Sequence, residues 1–244
     1  MDEQTEFNFH GSLNDFLRQR ERHKPVSYAF HWNPSVKDAI EAIGIPHVEV
    51  GLIEIDQSKS NFSYLLKGNE HIDVYPYNNS IANNGSFPDK FILDVHLGKL
   101  ARILRLFGID VVYDQYYDDH EIIQRSVKED RNVLTRDIGL LKHKILKYGY
   151  WLRSQDPEQQ AVEVIKYYKL QDQFHPFSRC IVCNHSIINV PKEKIILMIP
   201  DEAALYYQSF YQCTGCHKIY WKGSHFDHML EIIERIKTKV TPGM

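Results

Sequence analysis

The chain has 244 residues, of which 43% are hydrophobic and 25% are charged, proportions that are ordinary for soluble globular proteins. This length allows a well-buried core and favours more than one domain. The first residues, Met1-Asp2-Glu3-Gln4, are acidic and lack the apolar segment of a signal peptide, and no apolar run is long enough to span a membrane. We therefore expect a cytoplasmic protein without membrane contacts.

The net charge of −3 argues against a strongly basic nucleic-acid binder, but it is unevenly distributed. Residues 1–90 contain 8 Lys and Arg against 13 Asp and Glu, residues 91–170 contain 13 against 12, and residues 171–244 contain 8 against 7. The acidity therefore belongs to the first third. Once the acids that would bind a metal are set aside, residues 91–170 carry a modest basic surplus, which is too small to predict tight electrostatic binding.

The first segment, from Thr5 to Tyr77, predicts a small sheet with one helix. The helix is expected over residues 34–44, capped near Asn33 and ended by Gly44. Apolar and β-branched patterns predict strands over residues 5–9, 26–30, 48–55 and 71–75. This ββαββ order resembles a ubiquitin-like β-grasp module. A polar linker is expected to follow it.

From Lys90 to Leu170, strand patterns alternate with helical patterns of about a dozen residues, which indicates βαβ units in one parallel sheet. The expected strands are residues 91–93, 109–113, 132–135 and 149–153. The expected helices are residues 97–107, 119–129, 138–147 and 157–170. Right-handed crossovers place the carboxyl ends of all these strands at one edge of the sheet.

Aspartates follow every one of these strands. They are Asp94, Asp118, Asp119, Asp137 and Asp156. Carboxylates that lie close together repel one another unless a hard cation binds among them, and carboxylate sites suit Mg²⁺ or Mn²⁺. Such ions serve phosphate chemistry by activating water. The set therefore predicts a metal-dependent nuclease.

Helix capping is the alternative explanation for these acids. Asp156, followed by Pro157 and Gln159, fits an N-cap well, and Asp119 and Asp137 can each cap a helix too. Asp94 is different, because two residues separate it from the helical pattern and an apolar strand gains nothing from ending in a charge. The nuclease prediction therefore depends on the set rather than on any single aspartate.

Cationic side chains lie close to these acids in the sequence. Lys99 and Arg102 are three residues apart and share a helix face, from which they can hold a scissile phosphate and its neighbour. Arg136, beside Asp137, is a weaker candidate for the same role. The alternative is the solvated face of an amphipathic helix, whose buried stripe comprises Leu97, Leu100, Ala101 and Leu104.

The four cysteines of the chain form two CxxC pairs, Cys180 with Cys183 and Cys213 with Cys216. Four thiolates can close a tetrahedral Zn²⁺ site with no open position, so we expect a structural zinc ribbon. A β-hairpin around residues 194–199 would fill the long loop between the pairs. Disulfides are disfavoured in an intracellular chain, and the CxxCH haem pattern ending at His217 leaves the first pair unexplained.

Aromatic and basic residues follow the second cysteine pair. Tyr220, Trp221, Lys222 and His225 suit base stacking and phosphate contact. A small hydrophobic core around the zinc is the alternative use for at least one of Tyr220 and Trp221. An amphipathic helix over residues 226–237, with Leu230 on its inner face, is expected to pack the ribbon onto the central domain.

The segment from Lys90 to about Ile236 resembles the Mut7-C ribonuclease family, a PIN-like nuclease domain. The motifs that carry the resemblance are Phe91–Asp94, Leu97–Arg102, Leu104–Asp110, Leu134–Asp137, the four cysteines and Tyr220–His225. The resemblance implies Asp94, Asp119 and Asp137 as metal-binding acids, with Asp156 as a candidate fourth. Asp119 is chosen over Asp118 because it precedes the helical run as the family's acid does. A ubiquitin-like module is the usual partner of this domain in the family.

The expected organisation is a ubiquitin-like β-grasp domain over residues 1–80, a linker over 81–89, a PIN-like parallel α/β nuclease domain over 90–172, and a zinc-ribbon segment over 173–244. We expect an Mg²⁺- or Mn²⁺-dependent endonuclease that acts on RNA, with Trp221 and Lys222 as further substrate-binding residues. A sulfur-carrier role needs a free Gly-Gly terminus, so the β-grasp domain is expected to bind RNA or a protein partner. The alternative is a non-catalytic RNA-binding or ribosome-associated adaptor, and cleavage of DNA instead of RNA stays open.

Overall fold

The computed structural model describes residues 3–77 and 87–241. The chain divides into two compact units. The first comprises the residues up to Phe87 together with Thr135–Trp151, and the second comprises Pro88–Leu134 together with the chain from Leu152 onward. Most of the expected linker lies outside the described residues. Within the described ranges, no helix is both long and apolar enough to cross a membrane.

The first unit contains a five-stranded sheet and one α-helix. Its elements are β1 (Glu3–Phe9), β2 (Val26–Phe30), α1 (Val36–Ile43), β3 (Val50–Ile55), β4 (Ser58–Ser60) and β5 (His71–Pro76). The strand order is β2-β1-β5-β3-β4, and β5 runs parallel to β1 while the other pairs are antiparallel. The core side chains Phe7, Ile40 and Ile72 are fully buried. This arrangement confirms the ubiquitin-like β-grasp fold.

The start of α1 differs from the prediction. Ser35 is the N-cap, and its hydroxyl oxygen accepts a hydrogen bond from the Asp38 N–H at 3.1 Å. Asn33 instead donates its side-chain amide to the Leu66 carbonyl at 2.8 Å, so a tertiary acceptor takes the group that was expected to cap the helix. The helix ends at Gly44 as expected, where φ is +133°.

From Lys90 to Tyr168 the predicted alternation of strands and helices is present. The elements are β6 (Lys90–Leu93), α2 (Gly98–Leu106), β7 (Asp110–Val112), α3 (Asp119–Glu129), β8 (Asn132–Thr135), α4 (Ile138–Leu141), β9 (Gly149–Trp151) and α5 (Pro157–Tyr168). β6 lies between β7 and β8 and is parallel to both. Its residues Phe91, Ile92 and Leu93 are fully buried, as expected for a central strand covered on both faces.

Helix α4 is much shorter than the ten residues predicted for it. It ends at Leu141, and the chain continues in turns in which His143 N–H bonds to Leu140 and Leu146 N–H bonds to His143. The side chain of His47 donates to the Leu146 carbonyl at 2.9 Å, and that of Lys37 donates to the Lys144 carbonyl at 3.4 Å. Side-chain donors from elsewhere in the first unit therefore hold this segment in its non-helical course.

The last part of the chain forms a three-stranded antiparallel sheet and two helices. Its elements are β10 (Ile187–Val190), α6 (Asp201–Tyr206), β11 (Phe210–Cys213), β12 (Ile219–Trp221) and α7 (Ser224–Val240). The hairpin expected near residues 194–199 is wrong, because 3₁₀ turns form at Lys192–Lys194 and Ile196–Met198. Ile195 and Ile199, four residues apart, both pack on Phe210, and this spacing is helical.

Helix α7 packs against α5, which confirms the predicted docking of the last segment on the central domain. Ile233, Ile236 and Val240 form its buried face, and Arg235 pairs with Glu158 of α5 at 2.7 Å. Leu230 was expected on the inner face but is 37% exposed. Buried contacts therefore concentrate in the second half of this helix.

Candidate functional site

Asp94 comes directly after the buried strand β6 and is itself half-buried. Its N–H donates to the carbonyl of Leu134 in β8 at 3.1 Å, which continues the parallel pairing up to the acid. The Asp94 side chain does not cap the following 3₁₀ turn, Val95–Leu97. The inference that capping does not account for this aspartate is therefore confirmed.

The turn after Asp94 is held by the loop that follows β7. The hydroxyl of Tyr113 donates to the Val95 carbonyl at 2.9 Å. A Cβ atom at Gly98 would lie 2.7 Å from the same hydroxyl oxygen, so a glycine is needed for the ring to approach this closely. The loops at the carboxyl ends of β6 and β7 consequently pack together at one edge of the sheet.

Two adjacent aspartates occupy different positions at the start of helix α3. Asp118 is the N-cap, because its Oδ1 accepts a hydrogen bond from the Glu121 N–H at 2.8 Å. Asp119 is the first helical residue and is exposed. Asp118 therefore accounts for the cap of α3, and the choice of Asp119 over Asp118 as the candidate ligand stays a prediction.

Asp137 and Asp156 are both helix caps. Oδ1 of Asp137 accepts from the Gly139 N–H at 2.7 Å, and Oδ1 of Asp156 accepts from the Gln159 N–H at 2.9 Å. The capping interpretation is confirmed for these two residues. An ionised carboxylate has two oxygens and about four lone-pair sites, so a cap hydrogen bond is compatible with metal binding through the second oxygen. The shared metal site stays a prediction.

The predicted phosphate-binding cations are all exposed. Lys99 and Arg102 lie on the outer face of α2, while the predicted stripe of this helix is buried. Arg136, which precedes Asp137, is also exposed. Exposure agrees with both a phosphate-binding face and a solvated face, so their assignment to substrate remains a prediction.

The four cysteine sulfurs lie within 4.8 Å of one another. The Sγ atoms of Cys180 and Cys216 are 3.6 Å apart, and those of Cys183 and Cys213 are 3.3 Å apart. These distances exceed the disulfide bond length of about 2.05 Å, and all four cysteines are free. Sulfurs at about 2.3 Å from a tetrahedral Zn²⁺ are about 3.8 Å apart, so the cluster has the donor set and spacing to hold zinc.

Hydrogen bonds to the sulfurs fix the geometry of this cluster. The Tyr220 hydroxyl lies 3.0 Å from Cys180 Sγ, and burial raises the pKa of Tyr220, so the phenol keeps its proton and is able to donate it to a Cys180 thiolate. Burial opposes ionisation of Cys183, but hydrogen bonds from His185 N–H and the neighbouring thiols lower its pKa to about 6. Burial and hydrogen bonds with the other sulfurs raise the pKa of Cys216 to about 12. Ionisation of the first thiol, Cys183, is therefore favoured, and ionisation of the last, Cys216, is disfavoured. A bound cation would stabilise the thiolate that is otherwise hard to form.

Two residues that sequence reasoning did not assign attach the first cysteine pair to the central sheet. Arg105, only 3% exposed, donates to the carbonyls of Val182 at 2.7 Å and Val111 at 3.0 Å. Asp110 accepts from Asn184 Nδ2 at 2.9 Å and from Arg131 Nη1 at 2.7 Å. A signal was present, because Arg105 falls one turn after Ala101 on the apolar stripe, where an arginine needs buried partners.

Trp221 and Lys222 line a groove of about 340 Å³ between the last sheet and α7. Its other walls include the rings of Phe177, Tyr211, Tyr220 and Phe226. Lys222 Nζ lies 5.7 Å from the centroid of the Phe226 ring. Trp221 also packs against the small core of Ile195, Ile199 and Phe210, so the expectation that this core claims one of the aromatic residues is confirmed.

A β-grasp unit, a parallel α/β sheet with acids after its strands and a four-cysteine ribbon together define a nuclease-like scaffold with two accessory modules. Family models agree with this class: the Mut7-C RNAse domain matches residues 89–233, and Mut7-C ubiquitin matches residues 2–82. The chain belongs to the Mut7-C RNAse domain family, as its motifs indicated. No curated protein and no solved structure matches it.

Proposed function

We propose that this protein is a Mg²⁺- or Mn²⁺-dependent ribonuclease that cleaves RNA endonucleolytically. The observation that carries the proposal is Asp94, a half-buried acid after a fully buried strand that does not cap the turn beside it, in a chain of the Mut7-C RNAse domain family. Carboxylate oxygens are the ligands that Mg²⁺ and Mn²⁺ prefer in proteins, and Asp94 places one at this edge of the sheet.

In this proposal Asp94, Asp119 and Asp137 bind the divalent ion, with Asp156 as a candidate fourth ligand. The bound ion supplies activated water and neutralises charge on the phosphodiester. The cap hydrogen bonds of Asp137 and Asp156 orient one oxygen of each carboxylate, and this limits the rotation of the other oxygen. Lys99, Arg102 and Arg136 hold the phosphates on either side of the scissile bond.

The groove beside the ribbon supplies a place for a nucleotide. A base can stack on Trp221 while Lys222 contacts the adjoining phosphate. Among the described residues that line the groove, none is acidic, so its lining does not repel a polyanion. Cys180, Cys183, Cys213 and Cys216 would hold a zinc ion, which would supply a structural link between β11, which ends at Cys213, and the first cysteine pair.

Replacing Asp94 with Asn tests the catalytic proposal, because the amide keeps the size of the side chain and removes the charge. We expect cleavage to fall by at least about 100-fold, since even outer-shell changes reduce metal affinity or activity by 10–100-fold. Asp130→Asn is the matched control. Asp130 is exposed with φ +54°, a conformation that asparagine tolerates, so this variant should cleave normally. Normal cleavage by Asp94→Asn would refute the assignment.

A non-catalytic RNA-binding adaptor is the second candidate function. It is favoured by one observation, namely that helix caps already use two of the predicted ligands, Asp137 and Asp156. A divalent-ion titration with labelled RNA distinguishes the two functions. A nuclease releases fragments only when Mg²⁺ or Mn²⁺ is added, whereas an adaptor binds RNA without either ion and releases none.

A further inference from the structure

A strongly basic loop connects the 3₁₀ helix Gly11–Phe16 to β2 in the β-grasp unit. Residues 17–25 contain one acid, Glu21, against four cations, Arg18, Arg20, Arg22 and Lys24. These four are half of the eight Lys and Arg residues in positions 1–90, a segment that also contains 13 acids. The positive charge of an otherwise acidic segment is therefore concentrated in one loop.

The conformation of this loop is fixed by a buried side chain. Asn14 is 3% exposed, its Oδ1 accepts from the His23 N–H at 2.7 Å, and its Nδ2 donates to the Phe9 carbonyl at 2.7 Å. His23 has a φ of +57°, so the chain reverses direction there. A buried amide that spans the loop in this way holds its cations in a defined arrangement.

The charges of the loop are poorly compensated within the protein. Arg22 donates to the carbonyls of Leu17 at 3.1 Å and Asp15 at 3.3 Å, which are neutral acceptors and do not cancel its charge. Arg20 pairs with Glu21 at 3.3 Å, but its side chain is 74% exposed, so this pair is weak. Within residues 3–77 and 87–241, no carboxylate forms an ion pair with Arg18, Arg22 or Lys24.

Four cations on one short loop attract a chain of phosphates. Lipid is a poorer fit than nucleic acid, because membrane-binding surfaces combine cations with exposed apolar side chains. The large apolar residue of this loop, Leu17, is only 4% exposed. Arg18 and Arg20 border a shallow, open surface, on which an extended phosphate backbone can lie.

We infer that this loop is a binding site for the phosphate backbone of single-stranded RNA, separate from the proposed nuclease residues. The inference extends the proposed function, since it assumes that RNA is the nucleic acid that the protein binds. It gives the β-grasp unit a direct contact with substrate. Arg18, Arg20 and Lys24 provide the phosphate contacts, while Arg22 mainly maintains the shape of the loop.

The test uses the full-length Asp94→Asn protein, so that binding is measured without cleavage, and a fluorescent single-stranded oligoribonucleotide of mixed sequence. Arg18→Gln/Arg20→Gln is compared with Lys59→Gln/Lys67→Gln, which removes the same charge from the same unit outside the loop. The loop variant should bind roughly 20-fold more weakly at 0.1 M salt, with a salt slope less negative by about 1.4. The control should lose much less affinity.

Equal affinities and slopes for the two variants would overturn the inference. So would a loop variant that loses binding to vesicles of acidic phospholipid but keeps its affinity for RNA. Failure of the nuclease proposal gives a different result. The Asp94→Asn protein would then bind RNA through the loop, while the wild-type protein would cleave no RNA. Thermal unfolding of both variants verifies that neither pair of substitutions disrupts the fold.

Discussion

The guanidinium of Arg105 donates a hydrogen bond to the carbonyl of Val182 at 2.7 Å and so joins helix α2 to the first cysteine pair. Burial lowers the pKa of Arg105, while the nearby thiolates of Cys180 and Cys183 raise it. A guanidinium nevertheless keeps its charge at any ordinary pH. One buried cation thus satisfies backbone carbonyls of the sheet and the ribbon and also lies close to the sulfur cluster.

We expect Arg105→Met to destabilise the protein by roughly 2–4 kcal/mol, because the carbonyls of Val111 and Val182 lose their charged donor while remaining largely shielded from water. Urea unfolding of the zinc-loaded protein measures this change. Arg102→Met, on the exposed face of the same helix, should stay within about 0.5 kcal/mol of the wild type. Equal stabilities of the two variants would show that the buried arginine does not hold the ribbon.

A second prediction concerns the acid stability that Asp110 provides. Burial opposes its ionisation, but hydrogen bonds from Arg131 and Asn184 lower its pKa below the ordinary value. The unfolded chain therefore takes up this proton first as the pH falls. The stabilisation is complete above about pH 4, the range of an unfolded aspartate, and is lost as the pH falls through the lower folded value.

Asp110→Asn should accordingly be less stable than the wild type by roughly 1.5–3 kcal/mol at neutral pH, and the difference should shrink below about pH 4. Unfolding free energies of both proteins are measured across this range, and the titration of the cysteines cancels in the difference. Asp130→Asn, at an exposed site, should show no such trend. A difference that stays constant down to about pH 3 would contradict the prediction.

The third prediction concerns the zinc ribbon, and the zinc content of the purified protein tests it. Cys213→Ser should purify without zinc, because a neutral hydroxyl cannot replace a thiolate in the four-sulfur set. His217→Asn should retain it. His217 is exposed with φ +59°, a backbone conformation that asparagine tolerates. Elemental analysis measures both, and retention of zinc by Cys213→Ser or covalent haem in the wild type would contradict the ribbon.

Tyr220→Phe carries a fourth prediction. The substitution keeps the ring in the groove wall but removes the hydroxyl that donates to Cys180 Sγ at 3.0 Å. Zinc affinity should fall about 10–100-fold, as for other outer-shell partners, while the fold is retained. Competition with a chromogenic chelator measures the affinity. Tyr211→Phe, which changes another ring of the same groove, should bind zinc like the wild type, and equal affinities of the two variants would exclude this role for Tyr220.

Local patterns in the sequence were enough wherever neighbouring residues determine the structure. The bounds of α3 and β8 agree with their predictions, because an N-cap aspartate begins the helix and a short apolar run defines the strand. Each CxxC pair was also predictable from its spacing, although the cluster itself joins Cys183 to Cys213, 30 residues further along the chain. The helix-cap signal of α3 and the CxxC spacing are both read from neighbouring residues, so neither requires knowledge of distant contacts.

Features that depend on distant contacts were not predictable in the same way. Helix α4 ends at Leu141, and the segment after it is held by His47, about a hundred residues away, which donates to the Leu146 carbonyl. Asn33 does not cap α1 because the Leu66 carbonyl takes its amide. Likewise, no local pattern pairs Asp110 with Asn184 of the ribbon. Tertiary hydrogen bonds of this kind override intrinsic propensity, and a single sequence does not show them.

The fifth prediction separates capping from metal binding at Asp137. Serine is as good an N-cap as aspartate, so Asp137→Ser keeps an oxygen for the Gly139 N–H while removing the carboxylate. If Asp137 binds the divalent ion, this variant should unfold like the wild type, and its cleavage activity should fall at least about 100-fold.

Asp118→Ser is the matched control, because Asp118 caps α3 through Glu121 N–H in the same way and has no assigned part in metal binding. Both variants should therefore be equally stable, and only Asp137→Ser should be inactive. Normal cleavage by Asp137→Ser would reduce this aspartate to a cap, and an equal loss in Asp118→Ser would show that the acid pair at the start of α3 was assigned the wrong way round.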